Sequence, residues 1–159
     1  MRFRPACYSL RIPPFRRQTT GRAPAMIEVS MSTALPASPD EVWKKVGAFD
    51  ALHTWHPAVQ SSEVEGKTRR LHLAGGTELV EELVDSDEAG HSYTYRIIDA
   101  GPLPVEGYES TIRVEGGKNG GSTVTWSSRF EPVGDPMAAR SAIEGIYQAG
   151  FDNLGKLLS

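Results

Sequence analysis

Two histidines are the first candidates for chemistry in this sequence. His53 and His56 are three residues apart, the spacing at which one helical turn brings two imidazoles towards the same metal ion. Such a site needs a third ligand, for example Asp50, and Pro57 ends the helical turn at His56. We therefore expect no metal ion. His56 is instead a hydrogen-bonding or ligand-contacting group at the mouth of a cavity, or a histidine on the surface.

Two adjacent glutamates offer acid–base chemistry. Glu81 and Glu82 lie in a predicted strand in which both alternating phases carry apolar residues, so one of the two carboxylates must face inwards. A carboxylate in an apolar cavity has a raised pKa and can serve as a general acid or base. The alternative is a structural ion pair with Arg96 or Arg113, and we favour that alternative.

Other catalytic motifs are absent from the sequence. The only cysteine is Cys7, and no serine lies in a Gly-x-Ser-x-Gly motif. The glycine-rich segment 116–121 separates two predicted strands, so it is a hairpin turn rather than a phosphate-binding loop. The sequence therefore identifies no catalytic residue and no cofactor, and it leaves open whether the protein is an enzyme.

Aromatic residues recur at positions that the strand and helix periods turn inwards. Aromatic residues with this spacing usually belong to the core, although the same face can also line a pocket. The set consists of Trp55, Tyr93, Tyr95, Tyr108, Trp126, Tyr147 and Phe151.

The elements that position these residues follow from the hydrophobic pattern. Residues 27–35 alternate between apolar and polar and predict a strand, and Ser38–Glu41 form a capping box that begins a short helix. A second short helical turn is expected at 51–54. Five or six strands separated by glycine-rich or charged turns follow between 59 and 132, which predicts an antiparallel meander. A period near 3.6 predicts a long helix over Met137–Leu158.

Glycines interrupt the predicted long helix. Gly145, Gly150 and Gly155 each cost about 1 kcal/mol relative to alanine. Gly150 lies on the apolar face of the helix, where a missing side chain permits close packing against the sheet or leaves space for a ligand.

The net charge of −3 combines two unlike segments. Six of the seventeen basic residues and none of the twenty acidic ones lie in residues 1–25, so residues 26–159 carry eleven basic and twenty acidic side chains. We expect a basic, disordered extension over 1–25, or translation from a start codon upstream of the real one at Met26, and one domain over 26–159. An organellar targeting segment and a basic nucleic-acid-binding arm stay open for residues 1–25. The acidic balance of that domain argues against nucleic acid as its partner. No apolar run is long enough for a secretory signal or a membrane span, so we expect a cytoplasmic protein with no membrane partner.

Five short strings occur in a fixed order along the predicted domain. They are Pro39–Trp43, Trp55–Val59, Gly101–Val105 leading into Tyr108, Thr123–Ser127 and Gly150–Leu154. Together they resemble the bacterial polyketide cyclase/dehydrase branch of the SRPBCC superfamily, and the resemblance covers about residues 27–158. The relatives of that branch, the START and birch-pollen-allergen-like proteins, share the helix-grip fold.

The resemblance implies an α+β helix-grip fold, in which a curved antiparallel meander sheet wraps around one long C-terminal helix, with two short helices after the first strand. It also implies a cavity between sheet and helix that binds a small hydrophobic or aromatic molecule, polyketide- or lipid-like, without a cofactor. Two alternatives stay open: a polyketide cyclase or dehydratase acting on a ligand held there, and a protein-interaction module. A homodimer is also open. The expected ligand-binding residues are Trp55, His56, Tyr95, Tyr108, Trp126, Tyr147 and Phe151.

Overall fold

The computed structural model describes residues 26–159, and the expectations for residues 1–25 lie outside that range. The framework consists of seven strands, two α-helices and the first of three 3-10 turns. In chain order they are β1 (Ile27–Leu35), α1 (Pro39–Val46), the 3-10 turn (Leu52–Thr54), β2 (Val59–Glu65), β3 (Thr68–Leu73), β4 (Glu78–Asp87), β5 (Ser92–Asp99), β6 (Val105–Gly116), β7 (Ser122–Pro132) and α2 (Pro136–Leu157).

The seven strands form one antiparallel sheet in the order β1-β7-β6-β5-β4-β3-β2. Strands β2 to β7 pair with their neighbours in sequence, as expected for a meander, and β1 pairs with β7. The long helix α2 follows the last strand. This arrangement confirms the predicted helix-grip fold.

Both α-helices begin at side-chain caps, and the cap of α1 is the capping box that the sequence predicts. The Ser38 hydroxyl accepts a hydrogen bond from the Glu41 backbone N–H at 3.3 Å, and the Glu41 carboxylate accepts one from the Ser38 N–H at 3.2 Å. The Asp135 carboxylate accepts a hydrogen bond from the Met137 N–H and caps α2. These bonds satisfy backbone donors that have no partner within the helix.

Helix α2 covers only one side of the concave face of the sheet. It packs chiefly against β1 and β7, while α1 packs against β6 and β7 and the 3-10 turn packs against β2. The inner surface of β3, β4 and β5 is therefore covered by side chains and connecting segments rather than by a helix.

Within residues 26–159, no helix is long and apolar enough to cross a membrane.

Gly150 permits close contact between α2 and three rings. A Cβ atom added at this position would lie 2.9 Å from Trp55 Cζ3, 3.0 Å from His56 Cδ2 and 3.1 Å from Trp126 Cζ3. Of the two alternatives for this glycine, the structure selects close packing. A Cβ at Gly145 or Gly155 would meet no atom within 4 Å.

We expect Gly150→Ala to lower the free energy of unfolding by about 1 kcal/mol, measured by urea denaturation. Overpacking costs about 2 kcal/mol and exceeds the gain of about 1 kcal/mol in helix propensity. Gly145→Ala is the matched control, and it should be stabilising by up to about 1 kcal/mol because its new methyl group meets nothing. Equal stabilisation by both variants would show that the rings do not constrain α2.

Candidate functional site

A cavity of about 70 Å³ lies between the concave face of the sheet and α2. Its wall combines a majority of aliphatic side chains with five residues that carry polar groups. The aliphatic residues are Leu52, Ala58, Val59, Leu71, Leu73, Leu79, Ile97, Leu103, Ile143 and Ile146, and the residues with polar groups are His56, Glu81, Tyr95, Tyr108 and Trp126.

Four of the seven expected ligand-binding residues line this cavity, namely His56, Tyr95, Tyr108 and Trp126. The other three lie behind its wall and contact the Trp126 ring. Tyr147 stacks on that ring with the centroids 4.2 Å apart, and the Trp55 and Phe151 centroids lie at 5.5 and 6.3 Å. All seven residues are buried together, with Trp126 between the cavity and the three residues behind it.

The polar groups around Trp126 form one buried hydrogen-bond network. The indole N–H of Trp126 donates to the Tyr95 hydroxyl at 3.1 Å and to Ser110 Oγ at 3.0 Å. The Tyr147 hydroxyl bonds to Ser110 Oγ at 3.1 Å and to the Tyr108 hydroxyl, which lies 3.4 Å from that of Tyr95. Buried polar groups are costly without partners, so this network makes the aromatic side of the cavity stable.

Burial keeps the tyrosines of this network un-ionised. It raises the pKa of Tyr95 and of Tyr108 well above the ordinary value, and it raises the pKa of Tyr147 to about 12. At neutral pH each of these groups is therefore a neutral hydroxyl rather than a phenolate.

His56 connects the segment after the 3-10 turn to α2. Its Nε2–H donates to the Ile146 carbonyl at 2.8 Å, and its Nδ1 accepts from the Ala58 N–H at 3.2 Å, which defines the neutral Nε2–H tautomer. A second bond, from Asn153 Nδ2 to the Trp55 carbonyl at 2.7 Å, connects the same segment to the helix. His56 is thus a buried group of the cavity wall and not a surface histidine.

Burial lowers the pKa of His56, and the hydrogen bond to the Ile146 carbonyl offsets only part of that effect. The neutral ring is the form that matches its two partners, because a protonated Nδ1 would face the Ala58 N–H. Neutral His56 therefore holds the segment between the 3-10 turn and β2 against α2.

A buried ion pair contributes Glu81 to the cavity wall. Arg69 Nε donates to Glu81 Oε2 at 2.6 Å, and Arg69 Nη1 donates to the Phe49 carbonyl at 3.0 Å. The guanidinium carbon also lies 4.2 Å from the Phe49 ring centroid and 4.9 Å from that of Tyr95. Burial alone would lower the pKa of Arg69, but the combined interactions with Glu81, Tyr93 and Tyr95 outweigh it and the pKa is raised.

The partner of Glu81 differs from the two arginines that the sequence suggested. The register of β3 and β4 places Arg69 directly opposite Glu81, whereas Arg96 on β5 lies opposite Glu82 and binds that residue at 2.9 Å. The other suggested partner, Arg113, instead has its Nη1 atom 3.9 Å from Glu115 Oε1. The prediction of an ion pair for the inward glutamate is correct, and the predicted partners are wrong because pairing depends on the register between strands.

Sequence reasoning missed Arg69 and Ser110. Arg69 shares its strand phase with Leu71, so the alternation in β3 already placed it inside, although arginine is rarely buried. Ser110 lies on the same buried face of β6 as Ile112.

Within residues 26–159, no group of three or more His, Cys, Asp or Glu side chains is arranged to hold a metal ion.

A curved antiparallel sheet that closes around one long helix above an interior cavity defines the helix-grip class of proteins. The family described as polyketide cyclase / dehydrase and lipid transport matches residues 26–159. The chain therefore belongs to that family. Among curated proteins no match is found.

Solved structures agree with this membership. The protein XoxI from Bacillus cereus is 32% identical, with a TM-score of 0.80 over 82% of this chain and 94% of that one. Two further structures show the fold alone. Ara h 8.0201 is 23% identical with a TM-score of 0.68, covering 84% of this chain and 98% of that one. The ZhuI aromatase/cyclase from Streptomyces sp. R1128 is 19% identical with a TM-score of 0.67, covering 84% and 94%.

The buried, neutral His56 predicts a specific loss of stability in acid. The unfolded chain protonates this residue below about pH 6.5, whereas the lowered pKa keeps it neutral in the folded state. The free energy of unfolding should therefore fall as the pH decreases below 6.5, by up to about 1.4 kcal/mol per pH unit. His56→Gln should remove this part of the slope, measured by urea denaturation between pH 7.5 and pH 5.

The exposed His53 provides the control. His53→Gln should keep the wild-type dependence on pH. If His56→Gln and His53→Gln give the same slope, His56 is not held neutral by the fold.

Proposed function

We propose that this protein binds a small hydrophobic molecule in the cavity between the sheet and α2. The observation that carries the proposal is an interior space whose wall is mainly aliphatic, while most of its polar groups bond to one another. An unfilled apolar cavity lowers stability because the atoms around it lose packing contacts. A hydrophobic ligand would restore those contacts and remove its own apolar surface from water.

The size of the cavity limits the ligand. Pockets for drug-sized molecules are typically about 300–1,000 Å³, several times the volume of about 70 Å³ found here. Five lining residues are exposed or half-buried, so the cavity meets the solvent on their side: Ala58, Leu73, Ile97, Leu103 and Ile146. Rotamer changes of the four larger side chains would let a single-ring molecule enter, whereas a longer ligand requires a wider opening.

Cyclisation or dehydration of a polyketide is a second candidate. The observation that favours it is the carboxylate of Glu81 in the cavity wall, since such a reaction needs a base to remove a proton next to a carbonyl group. A folded polyketide chain is much larger than the cavity. Binding of a small molecule therefore accounts for the geometry with less rearrangement. A cytoplasmic location and a homodimer stay predictions.

Closing the opening should weaken binding. We expect Ala58→Phe to weaken the binding of toluene at least tenfold, because the new ring would occupy the entrance while the core stays intact. Binding is measured by titration of ¹⁵N-labelled protein, following the amide signals of the cavity-lining residues.

Ala74→Phe is the matched control, because Ala74 is also exposed but does not line the cavity. It should bind toluene as the wild type does. Unchanged binding in Ala58→Phe, or shifts confined to residues outside the cavity, would contradict the proposed function.

A further inference from the structure

The polar groups of the cavity wall differ in how much hydrogen-bonding capacity they have left. Both ring nitrogens of His56 are bonded, and the Trp126 N–H donates to two oxygens. The Tyr95 and Tyr108 hydroxyls belong to the network behind the wall. These four groups are already engaged with other parts of the protein.

Glu81 is the exception in the wall. The described part of the chain makes one hydrogen bond to its carboxylate, from Arg69 Nε to Oε2, and none to Oε1. A carboxylate can accept about four hydrogen bonds, and an ionised one donates none. Glu81 retains 5% of its side-chain exposure whereas Arg69 has 0%. The cavity therefore presents an acceptor whose capacity is largely unused.

The charge around this acceptor is already balanced. Arg69 compensates Glu81 and is held outside the cavity wall by the Phe49 carbonyl and ring. A cationic ligand would add an uncompensated charge to an apolar space, and an anionic ligand would face the Glu81 carboxylate. A neutral group that donates a hydrogen bond fits this environment best.

We propose that the ligand of this cavity is a small apolar molecule that carries a hydroxyl group, and that this hydroxyl donates a hydrogen bond to Glu81. The proposal rests on the proposed function, since it specifies the class of molecule bound at the same site. Hydrogen bonds to charged acceptors are among the stronger ones in proteins. Glu81 thus selects between molecules of the same shape.

Phenol and toluene test this selection because they have nearly the same shape and differ in a hydroxyl and a methyl group. An apolar cavity without an acceptor favours toluene, since the phenol hydroxyl would lose its hydrogen bonds to water without replacement. With Glu81 as acceptor, the wild-type protein should bind phenol at least tenfold more tightly than toluene. Dissociation constants are measured by titration of ¹⁵N-labelled protein.

The variant that removes the acceptor must remove both charges, because Arg69 alone would be a buried, unpaired cation. Replacing a buried ion pair with apolar residues is often neutral or stabilising. Arg69→Leu/Glu81→Leu should still bind toluene and should bind phenol less tightly than toluene. The control is Arg96→Gln/Glu82→Gln, which removes an exposed ion pair between neighbouring strands and should keep the wild-type preference.

The outcomes separate the two proposals. Wild-type protein that binds toluene as tightly as phenol would overturn the role of Glu81 and leave the cavity as a hydrophobic site. Wild-type protein that binds neither would contradict the proposed function itself. If the double variant does not fold, the ¹³C signal of the Glu81 carboxyl group decides, because it should shift with phenol but not with toluene. An equal response to both would also overturn the proposal.

Discussion

The ion pair between Arg69 and Glu81 is the interaction on which this interior depends. Two buried charges would each be costly alone, and they are tolerated here because each is the other's partner. Arg69 also binds the Phe49 carbonyl, so the pair fastens the segment after α1 to the far side of the sheet, where α2 does not pack. That part of the concave face is thus covered without a second long helix. The Glu81 carboxylate becomes part of the cavity wall.

The aromatic part of the cavity wall is fixed by the close approach of α2. The absence of a side chain at Gly150 allows three rings to pack against the helix. Hydrogen bonds of His56 and Asn153 connect the helix to the segment between the 3-10 turn and β2. The Trp126 ring stacks on Tyr147 of α2, and its N–H donates to the Tyr95 and Ser110 hydroxyls. The position of the helix therefore also fixes the hydroxyl network. The space that remains is small because the aromatic residues and the salt-bridged residues both pack closely around it.

Most of the fold could be predicted from the sequence because local patterns determine it. Period-two alternation located β1 at 27–35, and a 3.6-residue period located α2 within one residue of each end, Pro136–Leu157. The partner of Glu81 could not be predicted, since it depends on strand register. The cavity volume could not be predicted either. It depends on how side chains from several elements pack together, and the pattern of one strand carries no information on that packing. The positions of Tyr95, Tyr108 and Trp126 in its wall followed only from the fold that the resemblance implied.

A crystal structure of the wild-type protein soaked with phenol would show whether the cavity holds a hydroxylated apolar molecule through the free acceptor of Glu81. We expect the phenol ring among the aliphatic wall residues and its oxygen about 2.5–3.0 Å from a carboxylate oxygen of Glu81. A phenol bound in the cavity with its hydroxyl towards the tyrosine network, or bound only outside the cavity, would contradict this role of Glu81.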